Sequence, residues 1–305
     1  MQTTLKSPIT FTGTGLHTGR PVRLTIHPAS AEYGLWFRRT DIDGPDALIP
    51  ARWDAVEPSR LCTKLANGRV SVMTVEHLMA ALAGCGVHNA LIEIDGPEVP
   101  VMDGSSAPFV QGILSRGLRR LAAPVRVLRV LEHVEVSEGE ARASLGPAET
   151  LEIDFEITFA DTAIGHQARR LNMANGAFVR ELCDSRTFCR NADVEAMRAA
   201  GLALGGTFDN AVVFDGDKVL SPGGLRHRDE PVRHKMLDAL GDLALAGAPI
   251  LGRYRGERAG HALTNRLLRT LFSQPGAFRL ETCSPDQGAV LPGFGVNSAD
   301  LKAVA

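Results

Sequence analysis

An imidazole and two carboxylates recur at one-turn spacing in the segment 234–242. If this segment is a helix, His234, Asp238 and Asp242 lie in one row along it, while apolar residues cover the opposite side. Imidazole nitrogen and carboxylate oxygen are common ligands of a divalent cation such as zinc. The segment therefore predicts a metal site, although the polar side of an ordinary amphipathic helix that faces water has a similar pattern.

A second helix, predicted over about residues 74–82 with Thr74 as its N-cap, supplies further candidates. Glu76 and His77 lie off its apolar stripe, so both can face a cleft. Together with His234 and Asp238 of the later helix, His77 completes a set of three candidate ligands. Three ligands leave one coordination position open, as in catalytic zinc sites. A bound zinc ion lowers the pKa of water to about 7, and Glu76 could accept the proton of that water. The helix dipole alone would also favour a glutamate at this position.

His261 follows a glycine at the start of the last predicted helix. Asp242 could bind this imidazole and favour its protonated form, as a general acid requires. Alternatively, Asp242 supports one of the metal ligands, and the sequence leaves both roles open. His17 lies in a turn between Gly15 and Gly19, and we expect it to line the cleft.

The composition excludes several classes of protein. The chain has 305 residues, and 33 basic residues against 35 acidic ones give a net charge of -2. This balance disfavours nucleic acid as a partner and a membrane as an obligate one. No segment resembles a signal peptide or a run of about 18 apolar residues that could span a bilayer. The five cysteines form no CxxC pair, which favours a soluble protein of the reducing cytoplasm.

Strands followed by helices occur in each half of the chain, which predicts an α+β fold rather than alternating βαβ units. We expect an N-terminal domain over residues 1–120 and a C-terminal domain over 125–305, with a linker near 117–124. Strands are expected near residues 22–26, 91–94, 126–130, 151–157 and 211–214. Further helices are expected near residues 108–114, 177–183, 194–200 and 262–272.

An ordered set of motifs resembles the UDP-3-O-acyl-N-acetylglucosamine deacetylase family over nearly the whole chain. The matching segments are residues 13–19, 74–82, 101–105, 185–188, 232–242 and 260–263. The resemblance implies two similar α+β domains with their helices sandwiched between two sheets and an active site at the domain junction. It also implies a cytoplasmic zinc amidohydrolase that removes the N-acetyl group of UDP-3-O-acyl-N-acetylglucosamine, the committed step of lipid A biosynthesis. We expect a monomer with one Zn²⁺ per chain, for which Fe²⁺ could substitute in the cell.

The resemblance also assigns residue roles. It implies zinc on His77, His234 and Asp238, Glu76 as general base, His261 as general acid and Thr187 as a donor to the oxyanion. Substrate-binding roles are expected at Lys235 for the diphosphate, at Phe159 for the uracil, at Phe188 for the acyl passage built from residues 188–204, and at Cys62 and His17.

One departure from the family pattern concerns the acyl passage. Cys189 and Arg190 stand where family members have a glycine and a bulky apolar residue. If Arg190 borders the passage, the preferred acyl-chain length could differ.

Two other functions remain open at this stage. A nucleotide-sugar or acyl-lipid sensor with a structural zinc ion would need neither Glu76 nor His261. A zinc amidase acting on another acylated sugar would use the same residues.

Overall fold

Buried side chains alternate with more exposed ones along several strands, as expected where one face of a sheet meets the core. The segment Leu151–Thr158, for example, buries every second residue. The computed structural model describes residues 1–301, which form twenty β-strands. In chain order the strands are β1 (Thr3–Leu5), β2 (Ile9–Thr14), β3 (Pro21–Pro28), β4 (Leu35–Arg39), β5 (Leu48–Pro50), β6 (Val56–Glu57), β7 (Lys64–Asn67), β8 (Val70–Met73), β9 (Ala90–Ile94), β10 (Leu118–Arg120), β11 (Arg126–Val130), β12 (Val134–Glu138), β13 (Ala141–Gly146), β14 (Leu151–Thr158), β15 (His166–Asn172), β16 (Phe188–Arg190), β17 (Val212–Asp215), β18 (Lys218–Val219), β19 (Ile250–Glu257) and β20 (Phe278–Thr282).

Seven α-helices lie among the described residues. They are α1 (Glu76–Gly84), α2 (Ala107–Arg116), α3 (Ala177–Glu181), α4 (Asn191–Ala199), α5 (Glu230–Ala244), α6 (His261–Phe272) and α7 (Pro285–Ala289). Every helix predicted from the sequence is present, with its ends shifted by up to four residues, and the α+β class is confirmed. Strand β20 and helix α7 follow the last predicted helix and have no counterpart among the predictions.

The strands fall into two groups along the chain. Strands up to β10 pair only with one another, in the orders β2-β3-β9-β4-β5, β6-β7-β8 and β1-β10. The later strands form a seven-stranded sheet, which contains the order β12-β13-β19-β11-β20 together with β14 and β15, and a small sheet β16-β17-β18. The domain boundary between residues 120 and 125 stays a prediction, which this pairing supports.

Two local predictions were wrong. Part of the expected linker is strand β10, which pairs with β1 and places Leu118 opposite Leu5. Thr74 is not the N-cap of α1, because that position belongs to Val75. Thr74 has a φ of 57°, and its hydroxyl donates a hydrogen bond of 2.8 Å to the buried Glu98 carboxylate. The Thr74 hydroxyl therefore bonds to Glu98 and does not cap the helix.

Four helices, α1, α2, α5 and α6, connect the two main sheets. Helix α2 packs on β2 of the N-terminal sheet, while α5 packs on β14 and β15 and α6 packs on β12 and β13 of the C-terminal sheet. Helix α1 packs against α5, so the two halves of the chain meet through these helices. Among the described residues, no helix is both long and apolar enough to cross a lipid bilayer.

Gly241 lets α1 and α5 approach closely. A Cβ atom built on Gly241 would stand 2.0 Å from the backbone carbonyl oxygen of Glu76. Glycine in the middle of a helix costs about 1 kcal/mol relative to alanine, so its presence here reflects a need for space. The close approach brings the first turn of α1, with Glu76 and His77, beside the middle of α5.

Candidate active site

Three side chains from α1 and α5 converge in the interior. His77 Nε2 lies 3.6 Å from Asp238 Oδ1, and His234 Nε2 lies 3.3 Å from the same oxygen. One ligand atom from each residue lies within 4.8 Å of the other two, and all three residues are buried. Asp238 Oδ1 makes no hydrogen bond within the described chain. A buried, unpartnered carboxylate oxygen facing two imidazole nitrogens fits a divalent cation.

The protonation states of this cluster suit metal binding. His234 Nδ1 lies 3.0 Å from the backbone carbonyl oxygen of Ser185, which can only accept, so Nδ1 carries the proton and Nε2 keeps a lone pair. Burial lowers the pKa of His234 to about 4, although Asp238 opposes this shift, so the ring is neutral at pH 7. Burial alone would raise the pKa of Asp238, but His234 and Lys235 outweigh burial and hold that pKa well below its usual value.

A second cluster adjoins the first. His261, the first residue of α6, places Nδ1 2.8 Å from Asp242 Oδ2. The other oxygen of Asp242 accepts a hydrogen bond of 2.5 Å from the Thr63 hydroxyl. The Thr63 backbone N–H donates to Glu76 Oε2 at 3.0 Å, and Glu76 Oε1 lies 3.7 Å from His261 Nε2. Of the two roles that the sequence left open for Asp242, this geometry favours contact with His261.

The same contacts shift two pKa values in the direction of acid–base chemistry. Burial alone would lower the pKa of His261, but the charges of Asp242 and Glu76 raise it to about 9. Burial raises the pKa of the Glu76 carboxyl, and the neighbouring His261 and His77 only partly offset that effect. The site therefore combines a carboxylate whose basicity is increased with an imidazole that is protonated at neutral pH.

The predicted oxyanion donor, Thr187, stands immediately before β16. Its backbone N–H donates to the Gly104 carbonyl oxygen, and its own carbonyl oxygen accepts from the Val212 N–H, both at 2.8 Å. Gly104 has a φ of 84°, and a Cβ atom there would stand 2.1 Å from a backbone oxygen. Only glycine permits this close approach of residue 104 to the Asn210 carbonyl oxygen, and the Gly104 carbonyl oxygen in turn anchors the backbone of Thr187.

Two of the predicted substrate-binding residues, Phe188 and Phe159, are aromatic and lie in a row that begins at His234. The Phe188 ring lies 6.3 Å from the His234 ring and 5.6 Å from the Phe159 ring. The Lys235 ammonium donates to Asp238 Oδ2 at 2.8 Å. Phe188 and Lys235 therefore border the candidate metal site, and Phe159 packs behind Phe188.

Cys62 and His17 are both buried. Burial raises the pKa of the Cys62 thiol to about 11, and the charge of Glu76 adds to the shift. The backbone N–H of His17 donates to Glu98 Oε1 at 2.8 Å, and His17 Nε2 is buried without a hydrogen-bond partner in the described chain. Burial lowers the pKa of His17, and the nearby His261 lowers it further.

Arg190 does not extend freely into the space beside Phe188. Its guanidinium pairs with Asp161, at the turn between β14 and β15, and lies 3.6 Å from Asp193. Asp161 also accepts a hydrogen bond from the Gly216 N–H at 3.1 Å. Arg190 therefore connects the start of α4 to two turns of the C-terminal half.

Two residues that organise the site, Thr63 and Glu98, are not among those predicted from the sequence. Thr63 bridges Glu76 and Asp242, but it follows Cys62 in a segment with no helical or strand periodicity. Glu98 accepts from the backbone N–H groups of His17 and Thr18. Both residues act across contacts distant in sequence, so no local pattern could have identified them.

The site places three residues that could hold a metal ion beside a buried carboxylate and an imidazole, an arrangement typical of metal-dependent hydrolases. The family model described as LpxC, UDP-3-O-acyl N-acetylglycosamine deacetylase, matches residues 2–273 of the chain. The chain belongs to this deacetylase family, and the resemblance of its motifs is confirmed.

Relatives from several bacteria agree with this assignment. The UDP-3-O-acyl-N-acetylglucosamine deacetylase of Phenylobacterium zucineum is 50% identical over 93% of this chain and 98% of its own length. The protein of the same name from Idiomarina loihiensis is 47% identical over 94% of each chain. That from Anaeromyxobacter sp. is 45% identical over 93% of each.

Proposed function

We propose that this protein hydrolyses the N-acetyl group of UDP-3-O-acyl-N-acetylglucosamine and releases UDP-3-O-acyl-glucosamine and acetate, the committed step of lipid A biosynthesis. One observation carries the proposal: an unpartnered carboxylate oxygen of Asp238 faces two imidazole nitrogens, beside a buried carboxylate and a protonated imidazole. Family membership and the names of the relatives support the choice of substrate.

The proposed metal ligands are His77, His234 and Asp238, and the proposed ion is one Zn²⁺ per chain, with Fe²⁺ as the alternative occupant. Two neutral nitrogens and one ionised oxygen suit either ion. A divalent cation bound there supplies Lewis acidity, which polarises a carbonyl oxygen and lowers the pKa of water. Three protein donors are typical of catalytic zinc sites, whereas structural sites have four.

Two residues are proposed to move protons. Glu76 takes a proton from water as the water oxygen bonds to the acetamide carbon, and its raised pKa brings its basicity closer to neutral pH. His261 gives a proton to the amine nitrogen as the carbon–nitrogen bond breaks. Asp242 orients His261 and favours its protonated form through the 2.8 Å contact with Nδ1. The products are acetate and the free amine.

The remaining side chains are proposed to stabilise charge and bind substrate. The Thr187 hydroxyl donates to the developing oxyanion, and Lys235 places a positive charge near the diphosphate. Phe159 and Phe188 offer aromatic surface to the uracil and the acyl chain, which their mutual contact beside His234 supports. The buried, unpartnered Nε2 of His17 supports a role for this residue in the cleft, and Cys62 is proposed to contribute to the same wall.

We also propose that the enzyme acts as a cytoplasmic monomer. The nearly balanced charge of the chain supports the proposal that neither nucleic acid nor a membrane is an obligate partner.

Acetate release from UDP-3-O-acyl-N-acetylglucosamine tests the proposal. We expect release that stops after chelation and returns when Zn²⁺ or Fe²⁺ is added. Equal release from a different acylated sugar would contradict the proposed substrate. Stoichiometric metal without acetate release would contradict the enzymatic function and favour a sensor.

A further inference from the structure

A buried ion pair outside the metal-ligand set joins the start of α5 to the segment before β16. Arg186 and Glu230 have side chains that are 8% and 1% exposed, and Arg186 Nε lies 2.9 Å from Glu230 Oε1. Glu230 Oε2 also accepts from Arg186 Nη2 at 3.1 Å and from the Arg226 backbone N–H at 2.7 Å. Both oxygens of the Glu230 carboxylate therefore accept hydrogen bonds from within the chain.

The ion pair is linked to a metal ligand through one peptide group. The backbone N–H of Arg186 donates to Glu230 Oε1 at 2.9 Å. The carbonyl oxygen at the other side of the same peptide group belongs to Ser185, and it accepts from His234 Nδ1 at 3.0 Å. Glu230 and His234 are one turn apart on α5, so one helix holds both polar atoms of this peptide group.

The arrangement fixes both the tautomer and the direction of the His234 ring. A peptide group is planar, so anchoring its N–H sets the direction of its carbonyl oxygen. The Ser185 oxygen then requires a proton on Nδ1 and turns Nε2 toward Asp238. A partner that orients a metal-ligating histidine typically changes metal affinity 10–100-fold when it is lost.

We propose that Glu230, supported by Arg186, is a positioning residue for the metal site, because it orients the Ser185–Arg186 peptide group that holds His234. The inference rests on the metal site proposed above. Glu230 would act on the metal indirectly. Its hydrogen bonds go to Arg186 and Arg226, and none goes to a proposed metal ligand or to a proposed proton-transfer group.

Titration of the metal-free protein with Co²⁺, followed by the visible absorption of the bound ion, tests the inference. Glu230→Gln keeps the size of the side chain but removes the charge, and we expect its Kd for Co²⁺ to rise 10–100-fold with a changed absorption spectrum. Asp229→Asn is the matched control. Asp229 pairs with Arg233 and Arg169 at the same end of α5 but does not contact the peptide group, so we expect its Kd to stay within about twofold of wild type.

The possible results separate the two proposals. If the wild-type protein binds no Co²⁺, the proposed metal site fails. If wild type binds and folded Glu230→Gln binds equally well, or if Asp229→Asn loses the same affinity, the positioning role of Glu230 is wrong.

A measurement on the wild-type protein tests the inference even if the Glu230→Gln variant does not fold. Nitrogen NMR of the metal-free protein should show His234 protonated on Nδ1, and hydrogen exchange should show a strongly protected Arg186 amide. A His234 protonated on Nε2, or a rapidly exchanging Arg186 amide, would overturn the inference.

Discussion

Replacing Gly241 by alanine tests whether the close approach of two helices creates the metal site. The new Cβ atom would stand 2.0 Å from the Glu76 carbonyl oxygen. The helices must therefore separate by about 1.4 Å at this point to restore an ordinary van der Waals contact. The obstacle is backbone, which cannot turn aside as the end of a side chain can.

The substitution is expected to affect both stability and metal binding. Alanine gains about 1 kcal/mol of helix propensity, whereas overpacking costs about 1–3 kcal/mol, so the free energy of unfolding should fall by about 0–2 kcal/mol. Metal–ligand distances tolerate changes of only about 0.2 Å. Because His77 follows Glu76 on α1, a shift of α1 moves it away from His234 and Asp238. We expect metal affinity to fall at least about tenfold, which corresponds to about 1.4 kcal/mol.

The assay combines thermal unfolding of the metal-free protein with competitive titration of Zn²⁺. Gly112→Ala is the control, because Gly112 lies on α2 and its Cβ atom would meet the side chain of Phe11, 2.5 Å away. We expect this control to alter stability and leave metal affinity unchanged. If folded Gly241→Ala bound Zn²⁺ as tightly as wild type, the separation of α1 and α5 would not control the site, and the reasoning would be refuted.

Three further predictions concern proton transfer and the substrate. His261→Ala should lower kcat about 10²–10⁴-fold and leave metal content unchanged, and loss of the metal on elemental analysis would instead make His261 a ligand. Asp242→Asn removes one of the charges that raise the pKa of His261 to about 9. His261 then loses its proton at a lower pH, so the alkaline limb of the kcat/KM profile should move to lower pH. An unmoved limb would contradict this assignment. Arg190→Leu breaks the pair with Asp161, and we expect the ratio of kcat/KM values between long and short acyl chains to change; the same ratio as wild type would exclude Arg190 from chain selection.

The candidate metal ligands of α5 could be predicted because helical periodicity is a local property. His234 and Asp238 are one turn apart in sequence, and the spacing alone places them together on α5. His77 was found because it lies off the apolar stripe of its helix, and His261 because it follows a glycine at the start of the last helix; the structure brings these helices to the same place. The α+β class followed from the order of strands and helices in the same way.

Contacts between distant segments could not be predicted. Thr63 donates to two acidic residues that lie 13 and 179 positions away, and nothing in its neighbourhood marks it. Thr74 is a residue type that commonly caps helices, but its hydroxyl donates its hydrogen bond to Glu98, 24 positions away. The departure at Arg190 was visible in the sequence, whereas its pairing with Asp161 depends on how the turn after β14 folds.

Thr63 has a consequence for how such an enzyme could be altered. Its amide binds Glu76 and its hydroxyl binds Asp242, the partner of His261, so one residue contacts the supports of both proton-transfer steps. A substitution of the side chain removes only the hydroxyl bond to Asp242, because every residue except proline keeps its backbone N–H. Position 63 is therefore a place where the support of His261 can be weakened while the hydrogen bond to Glu76 stays.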